Sequence, residues 1–214
     1  MDGQGKRWKT MIGIIDYGMG NIRAFSNIYN ELKIPNKVIS NKEDFTNIDK
    51  YILPGVGAFD NAVKSLSNSC LIEILCDKVL NEKKIVLGVC VGMQLMAKSS
   101  EEGKLNGLNW INATVNKFNE KDLKEDKPIP HMGWNSIQCD ENNPLFKNLN
   151  TNPRFYFLHS YYFDSLNDET IIAKSKYGIQ FACAVNLENI YGVQFHPEKS
   201  HQNGIQILKN FSDL

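Results

Sequence analysis

No cysteine pair in this chain has CxxC spacing, and the five cysteines, Cys70, Cys76, Cys90, Cys139 and Cys183, are an odd number. With no apolar leader at the start, this pattern predicts reduced thiols in the cytoplasm rather than a disulfide framework. No apolar run approaches the length that crosses a bilayer, so no membrane partner is expected. Neither sign of charge is in excess: 24 Lys and Arg stand against 24 Asp and Glu, with no basic stripe for nucleic acid. His131, His159, His196 and His201 do not fall at ligand spacing with cysteines or paired carboxylates, so neither a metal nor another cofactor is expected. The Gly-Met-Gly of residues 18–20 lacks both GxGxxG and the Walker lysine, which leaves a tight turn rather than a phosphate loop.

What the chain does have is enough apolar content, 42% of 214 residues, for one domain with a sizeable core. Residues 1–10, MDGQGKRWKT, are polar and are set aside as an N-terminal extension or tag remnant, leaving a domain over 11–214. Its first half alternates short apolar runs with amphipathic segments. Strands are expected at Met11–Asp16, Asn36–Ser40, Tyr51–Pro54 and Lys84–Gly88. Helices are expected at Asn21–Leu32, over Phe59–Leu80 as one or two segments, and at Met93–Lys98. Such alternation implies an α/β fold with a parallel sheet covered on both faces. The second half is strand-rich and partly antiparallel, with strands expected at Ala113–Phe118, Phe155–Phe157, Thr170–Lys174, Ile179–Val185 and Tyr191–Phe195. A last helix is expected at Ile205–Phe211, and the charged, proline-bearing stretch Glu120–Pro130 reads as a surface loop.

Three motifs carry chemistry. In KIVLGVCVGMQLM a buried strand ends at Gly88, Cys90 follows, Gly92 comes two residues later and a helix begins. Small residues on both sides of a nucleophile suit a sharp strand-to-helix turn, whose helix N-terminus favours thiolate. A buried core cysteine is the bland alternative. In YGVQFHPEKS a strand delivers His196, and in extended chain Glu198 projects to the same side. Glutamate can then fix the imidazole's tautomer while the other ring nitrogen faces a thiol, against the alternative of an exposed turn. In LPGVGAF, glycines flanking Val56 free the backbone to turn N–H groups toward an oxyanion, against the alternative of an ordinary glycine turn.

Together these motifs resemble the class I (triad) glutamine amidotransferases, whose elbow is GxCxGxQ and whose closing motif is FHPE. The closer resemblance is to the glutaminase-subunit family of imidazole glycerol phosphate synthases. It rests on IDYGMGN, PGVGAF, GVCVGMQLM, SEEG, PHMGWN, YFLHSYY and FHPEKS, in family order from Ile15 to Ser200. The resemblance implies a flavodoxin-like, mostly parallel sheet flanked by helices. It implies Cys90 as nucleophile, His196 as general base and then acid, and Glu198 as the orienting carboxylate. Val56 and Gly57 fall on the oxyanion strand, with the Val91 amide as second donor. Gln94 and Glu102 fall where the glutamine's amino-acid end is held, helped by backbone at Ser160 and Tyr161. Trp134, Tyr156 and Lys199 fall where the partner, a (β/α)8 barrel synthase that receives ammonia, docks. The implied products of that synthase are imidazole glycerol phosphate and an aminoimidazole carboxamide ribotide.

Two departures from the family pattern stand out. Gly107–Val115, GLNWINATV, lacks the usual glycine and proline after GL and predicts an altered loop, and Val91 stands where leucine is commoner. Three other readings remain open. Paralogues that supply ammonia to surface-sugar pathways carry similar motifs. A non-catalytic binding module on the same scaffold would be expected to have lost a triad residue. A peptide-directed cysteine hydrolase would have no need of Gln94 and Glu102.

Overall fold

The computed structural model describes residues 10–123 and 127–214. Of the expected extension only Thr10 is among them, and residues 124–126 of the expected Glu120–Pro130 loop also lie outside. The first half runs β1 (Ile12–Ile15), α1 (Ile22–Glu31), β2 (Asn36–Ile39), β3 (Lys50–Gly55), α2 (Phe59–Asn68), α3 (Ile72–Cys76) and β4 (Ile85–Cys90). Burial along β1 and β3 is complete, and along β4 nearly so, as strands covered on both faces require. The expected 59–80 helix is two helices. They part at Cys70, which has φ 59°, and beside it the Ser69 hydroxyl accepts the Leu71 amide at 3.3 Å.

The second half runs α4 (Val91–Gln94), β5 (Ser99–Ser100), β6 (Ala113–Lys117), β7 (His131–Ser136), β8 (Gln138–Cys139), β9 (Arg154–His159), β10 (Tyr161–Ser165), β11 (Ile171–Tyr177), β12 (Ile179–Leu187), β13 (Ile190–Val193) and α5 (His201–Asp213). The expected Met93–Lys98 helix is replaced by the four residues of α4. The cause is non-local. Amides of Leu108, Asn109, Trp110 and Gly107 donate to the carbonyls of Leu95, Ala97, Met96 and Lys98, so those carbonyls are taken before another helical turn can use them. The departing GLNWINATV stretch is therefore the strap that stops the elbow helix.

Among the described residues the main sheet has eleven strands, in the path β2-β1-β3-β4-β13-β12-β10-β6-β5, with β11 paired to β12 and β8 to β11. From β2 to β13 every neighbour is parallel, and from β13 to β6 every neighbour is antiparallel. β7 and β9 form a separate antiparallel ribbon that pairs Trp134 with Tyr156. No helix among the described residues is long and apolar enough to cross a membrane.

α5 is tied back by a buried cation. Lys50 is only 7% exposed, and its Nζ donates to the carbonyls of Phe211 at 3.2 Å and Ser212 at 2.8 Å. A charged donor thus satisfies carbonyls that the last helical turn leaves open, and it complements the helix dipole. Lys50→Met keeps the aliphatic stem and removes the donor. It is expected to lower the unfolding free energy by about 1–3 kcal/mol, read as an earlier urea midpoint. An unchanged midpoint would show that water serves those carbonyls equally well.

Candidate active site

Cys90 closes β4 in a backbone conformation, φ 55° and ψ −113°, that L-residues rarely hold. Such strain costs about 1–3 kcal/mol and persists only where surroundings enforce it. Here the surroundings are backbone: a Cβ on Gly92 would lie 1.9 Å from the Leu53 carbonyl oxygen, and one on Gly88 would lie 2.7 Å from the Gly92 oxygen. The elbow is jammed against the end of β3, and the thiol side chain is turned out of the sheet.

β13 lies beside β4 in parallel register, Val193 opposite Val89, so the residues that follow both strands emerge at the same sheet end. His196 arrives there with its amide donating to Tyr156 O at 2.9 Å. Its Nδ1 lies 2.9 Å from Glu198 Oε1, which leaves Nε2 as the ring nitrogen available to Cys90, with which His196 shares the cavity wall. Extended chain is not what aligns His196 with Glu198. Pro197–Lys199 is a 3-10 turn, held by the Ser200 hydroxyl donating to His196 O at 2.6 Å. Both side chains of the pair are 2% exposed. Burial alone lowers the His196 pKa, but hydrogen bonds to Cys90 and Glu198 and their charge outweigh it and lift it from 6.5 to about 10.

A cavity of about 300 Å³ opens over the sulfur, and Val56, Gly57, Val91, Gln94, Glu102, Ser160 and Tyr161 all line it with Cys90 and His196. In the sheet register Gly55 stands opposite Cys90, which sets Val56 and Gly57 directly beyond Cys90. Gly57 takes φ 82°. Tyr17 braces this strand from below, its hydroxyl donating to Pro54 O at 2.7 Å; burial and the nearby Cys90 hold that phenol well above its usual range. Glu102 Oε2 accepts the Phe59 amide at 2.8 Å at the head of α2, so the carboxylate is fixed toward the cavity. Lys199 lies on the rim, 5.7 Å from the Tyr156 ring centre. Trp134 meets Tyr156 edge-on and stacks flat on His201 at 5.1 Å. The expected rim residues thus form one cluster, beside the exposed apolar side chains Met132, Leu158 and Val56.

Four features escape sequence reasoning. Tyr17 is one, and Gln194 is another. Gln194 Oε1 accepts from Gln94 at 3.0 Å, and its Nε2 points at Cys90 Sγ, 3.8 Å away. Its one sequence signal is a polar residue inside an otherwise apolar strand end. The Leu158 carbonyl, 3.9 Å from the same sulfur, leaves no signal at all. The last is a buried histidine pair: His131 Nδ1 lies 3.0 Å from His159 Nε2, and His159 Nδ1 lies 2.8 Å from Tyr161 O. Among the described residues no group of three His, Cys, Asp or Glu side chains is placed to hold a metal ion.

A nucleophile elbow, an imidazole set between thiol and carboxylate, and a cavity with a fixed carboxylate suit attack on an amide carried by an amino acid. Comparison with known proteins agrees. The family model for glutamine amidotransferase class-I matches residues 13–213. "Imidazole glycerol phosphate synthase subunit HisH" of Leptospira borgpetersenii is 48% identical over 204 residues, 95% of this chain and 100% of that one. The HisH protein of Bdellovibrio bacteriovorus is 49% identical over the same shares of each chain. A solved structure, a putative GMP synthase subunit of Thermoplasma acidophilum, shares the fold: TM-score 0.71 at 22% identity, covering 96% of this chain and 93% of that one. Sheet, elbow and sequence agree, and the chain belongs to the class-I glutamine amidotransferase family, among the HisH subunits of imidazole glycerol phosphate synthase.

Proposed function

We propose that this chain is the glutaminase subunit of an imidazole glycerol phosphate synthase, hydrolysing glutamine and passing ammonia to a (β/α)8 barrel synthase subunit in histidine biosynthesis. The observation that carries the chemistry is the line Glu198 Oε1, His196, Cys90 at the floor of the cavity. Identity of 48–49% to HisH proteins over 95% of this chain supports the acceptor.

In this reading Glu198 holds His196 Nδ1–H, and Nε2 already carries the proton taken from Cys90, so thiolate and imidazolium face each other before substrate arrives. The thiolate attacks the side-chain amide carbon of glutamine, whose amino-acid end is held by Gln94, Glu102 and the backbone of Ser160 and Tyr161. The oxyanion forms against N–H groups of Val56, Gly57 and Val91; one such donor is worth roughly 3–4 kcal/mol of barrier. His196 returns the proton to the leaving nitrogen, ammonia departs, and a glutamyl thioester remains on Cys90. Water then attacks, deprotonated by His196, and glutamate leaves as the thiol re-forms. Ammonia released into water would be protonated and diluted, so docking on the acceptor enzyme is part of the function. Trp134, Tyr156 and Lys199, with the exposed Met132, supply that docking rim. A cytoplasmic setting suits the five cysteines, none of them in a disulfide among the described residues.

The test is glutamate release from glutamine, with and without the barrel synthase and its nucleotide ligand. Strong stimulation by synthase and ligand is expected, and Cys90→Ala is expected to abolish turnover while keeping the wild-type unfolding midpoint. Turnover that survives in Cys90→Ala would remove the nucleophile assignment. Absence of stimulation, with Cys90 still labelled by a glutamine-like affinity reagent, would keep the glutaminase and move the acceptor to another pathway, such as surface-sugar synthesis.

A further inference from the structure

Gln194 is fully buried one residue past β13, between the side chain that lines the cavity and the sulfur that reacts in it. The orientation of its amide is decided by what lies around it. Tyr161 O is a carbonyl and can only accept, so the Gln94 atom 3.1 Å from it is the NH2 nitrogen. That nitrogen's second hydrogen faces Gln194, 3.0 Å away, so the Gln194 atom it meets is the oxygen. The Gln194 NH2 group is therefore the end turned to Cys90 Sγ, at 3.8 Å. His159 Nδ1 also donates to Tyr161 O at 2.8 Å, which pins the carbonyl at the head of this chain of donors.

We propose that Gln194 is a further catalytic residue, whose side-chain N–H stabilises the Cys90 thiolate and is aimed at it through Gln94. The inference rests on Cys90 being the nucleophile and adds a thiolate donor besides His196. The sulfur has two neutral partners with opposite demands. The Leu158 carbonyl at 3.9 Å can only accept, so it is served by the thiol and repels the thiolate. The Gln194 amide can only donate there, and a hydrogen bond offered to the charged form is the stronger one. Gln194 thus tips the sulfur toward the form that attacks amide carbon. It acts again when the thioester breaks and sulfur leaves with the electron pair. A glutamine present only to fill the core would not need its amide polarity set by a second glutamine.

The test is the pH dependence of iodoacetamide alkylation of the full chain, followed by mass spectrometry at Cys90, with exposed Cys70 as internal reference. Gln194→Met fills the same volume without a donor. The acid limb of Cys90 alkylation is expected to move up by about one pH unit, close to a tenfold slower reaction on that limb, with Cys70 unchanged. An unmoved limb overturns the proposal. Should Gln194→Met fail to fold, the unsubstituted protein decides. The side-chain amide protons of Gln194, followed by nuclear magnetic resonance, are expected to titrate with the Cys90 alkylation limb, and a flat response overturns the proposal. Failure of the nucleophile assignment looks different: Cys90 of the unsubstituted chain would then alkylate no faster than Cys70 at neutral pH, and the proposal falls with it.

Discussion

Replacing Gly92 with alanine is expected to cost roughly 3 kcal/mol or more of folding stability and to abolish glutaminase turnover in the same step. The added Cβ would lie 1.9 Å from the Leu53 carbonyl oxygen, 2.9 Å from its carbon and 3.2 Å from the carbonyl carbon of Pro54. All three are backbone atoms in the middle of the sheet, so no rotamer change relieves the clash. Either the end of β3 withdraws, carrying Val56 and Gly57 out of reach, or the elbow does, carrying Cys90. Both movements separate Cys90, the proposed nucleophile, from its proposed oxyanion donors, which is why stability and turnover fall together. A thermal melt and a synthase-stimulated glutaminase assay on the variant check this. A variant with wild-type midpoint and turnover would mean that the elbow is not braced by β3.

The second large effect is an acid-side loss of stability from the buried histidine pair. Burial, then the charge of the other histidine, lowers His159 from 6.5 to about 3. Burial, then the Lys127 charge, lowers His131 to about 4. Both are neutral in the folded chain at pH 7, and both would titrate near 6.5 once unfolded. Between about pH 6.5 and 4 the unfolded chain therefore binds more protons. Stability is full above that window and falls as pH drops through it, by about 1.4 kcal/mol per pH unit for each histidine. His196 has the opposite shift, is protonated in both states below 6.5, and so leaves this slope alone; its contribution fades only as pH rises toward 10. Urea unfolding at pH 7.5, 6.0 and 5.0 reads the slope. In His131→Phe, where one titrating group is gone and the stack on Phe157 and Tyr177 can persist, the slope is expected to fall by about one proton. Parallel slopes for the two proteins would show that His131 is not held neutral in the folded state.

The proposed catalytic line was the most legible part of the chain because its pieces are local: the elbow sits within thirteen residues and His196–Glu198 within three. The parallel half was legible for the same reason, since each buried strand is a continuous apolar run. The misjudged helix at 93–98 shows where local reading stops. Met93–Lys98 has helical composition, and what ends the helix is capture of its carbonyls by residues 107–111. The β7–β9 ribbon and β10 were only partly visible. Gly133, at φ 125°, sits inside β7, and Met132, Trp134 and Leu158 face outward where an isolated domain would bury them, so the apolar alternation of a half-buried strand is lost. Gln194, Tyr17 and the histidine pair make hydrogen bonds across 28 to 104 positions of sequence or act within dense motifs, and their partners exist only in the folded sheet.

The place of β13 has a consequence for how the chain comes off the ribosome. It pairs with β4, made a hundred residues earlier, and with β12, made just before it, and it is inserted between the two. Until residues 190–193 emerge, β4 has an open edge, the sheet is in two pieces, and such long-range pairing closes slowly. His196 and Glu198 ride on the same insertion. The nascent chain therefore exposes its thiol elbow well before it has the histidine proposed to activate it. In the proposed mechanism an unfinished chain cannot act on glutamine, because the insertion that completes the sheet also carries His196 and Glu198 to Cys90.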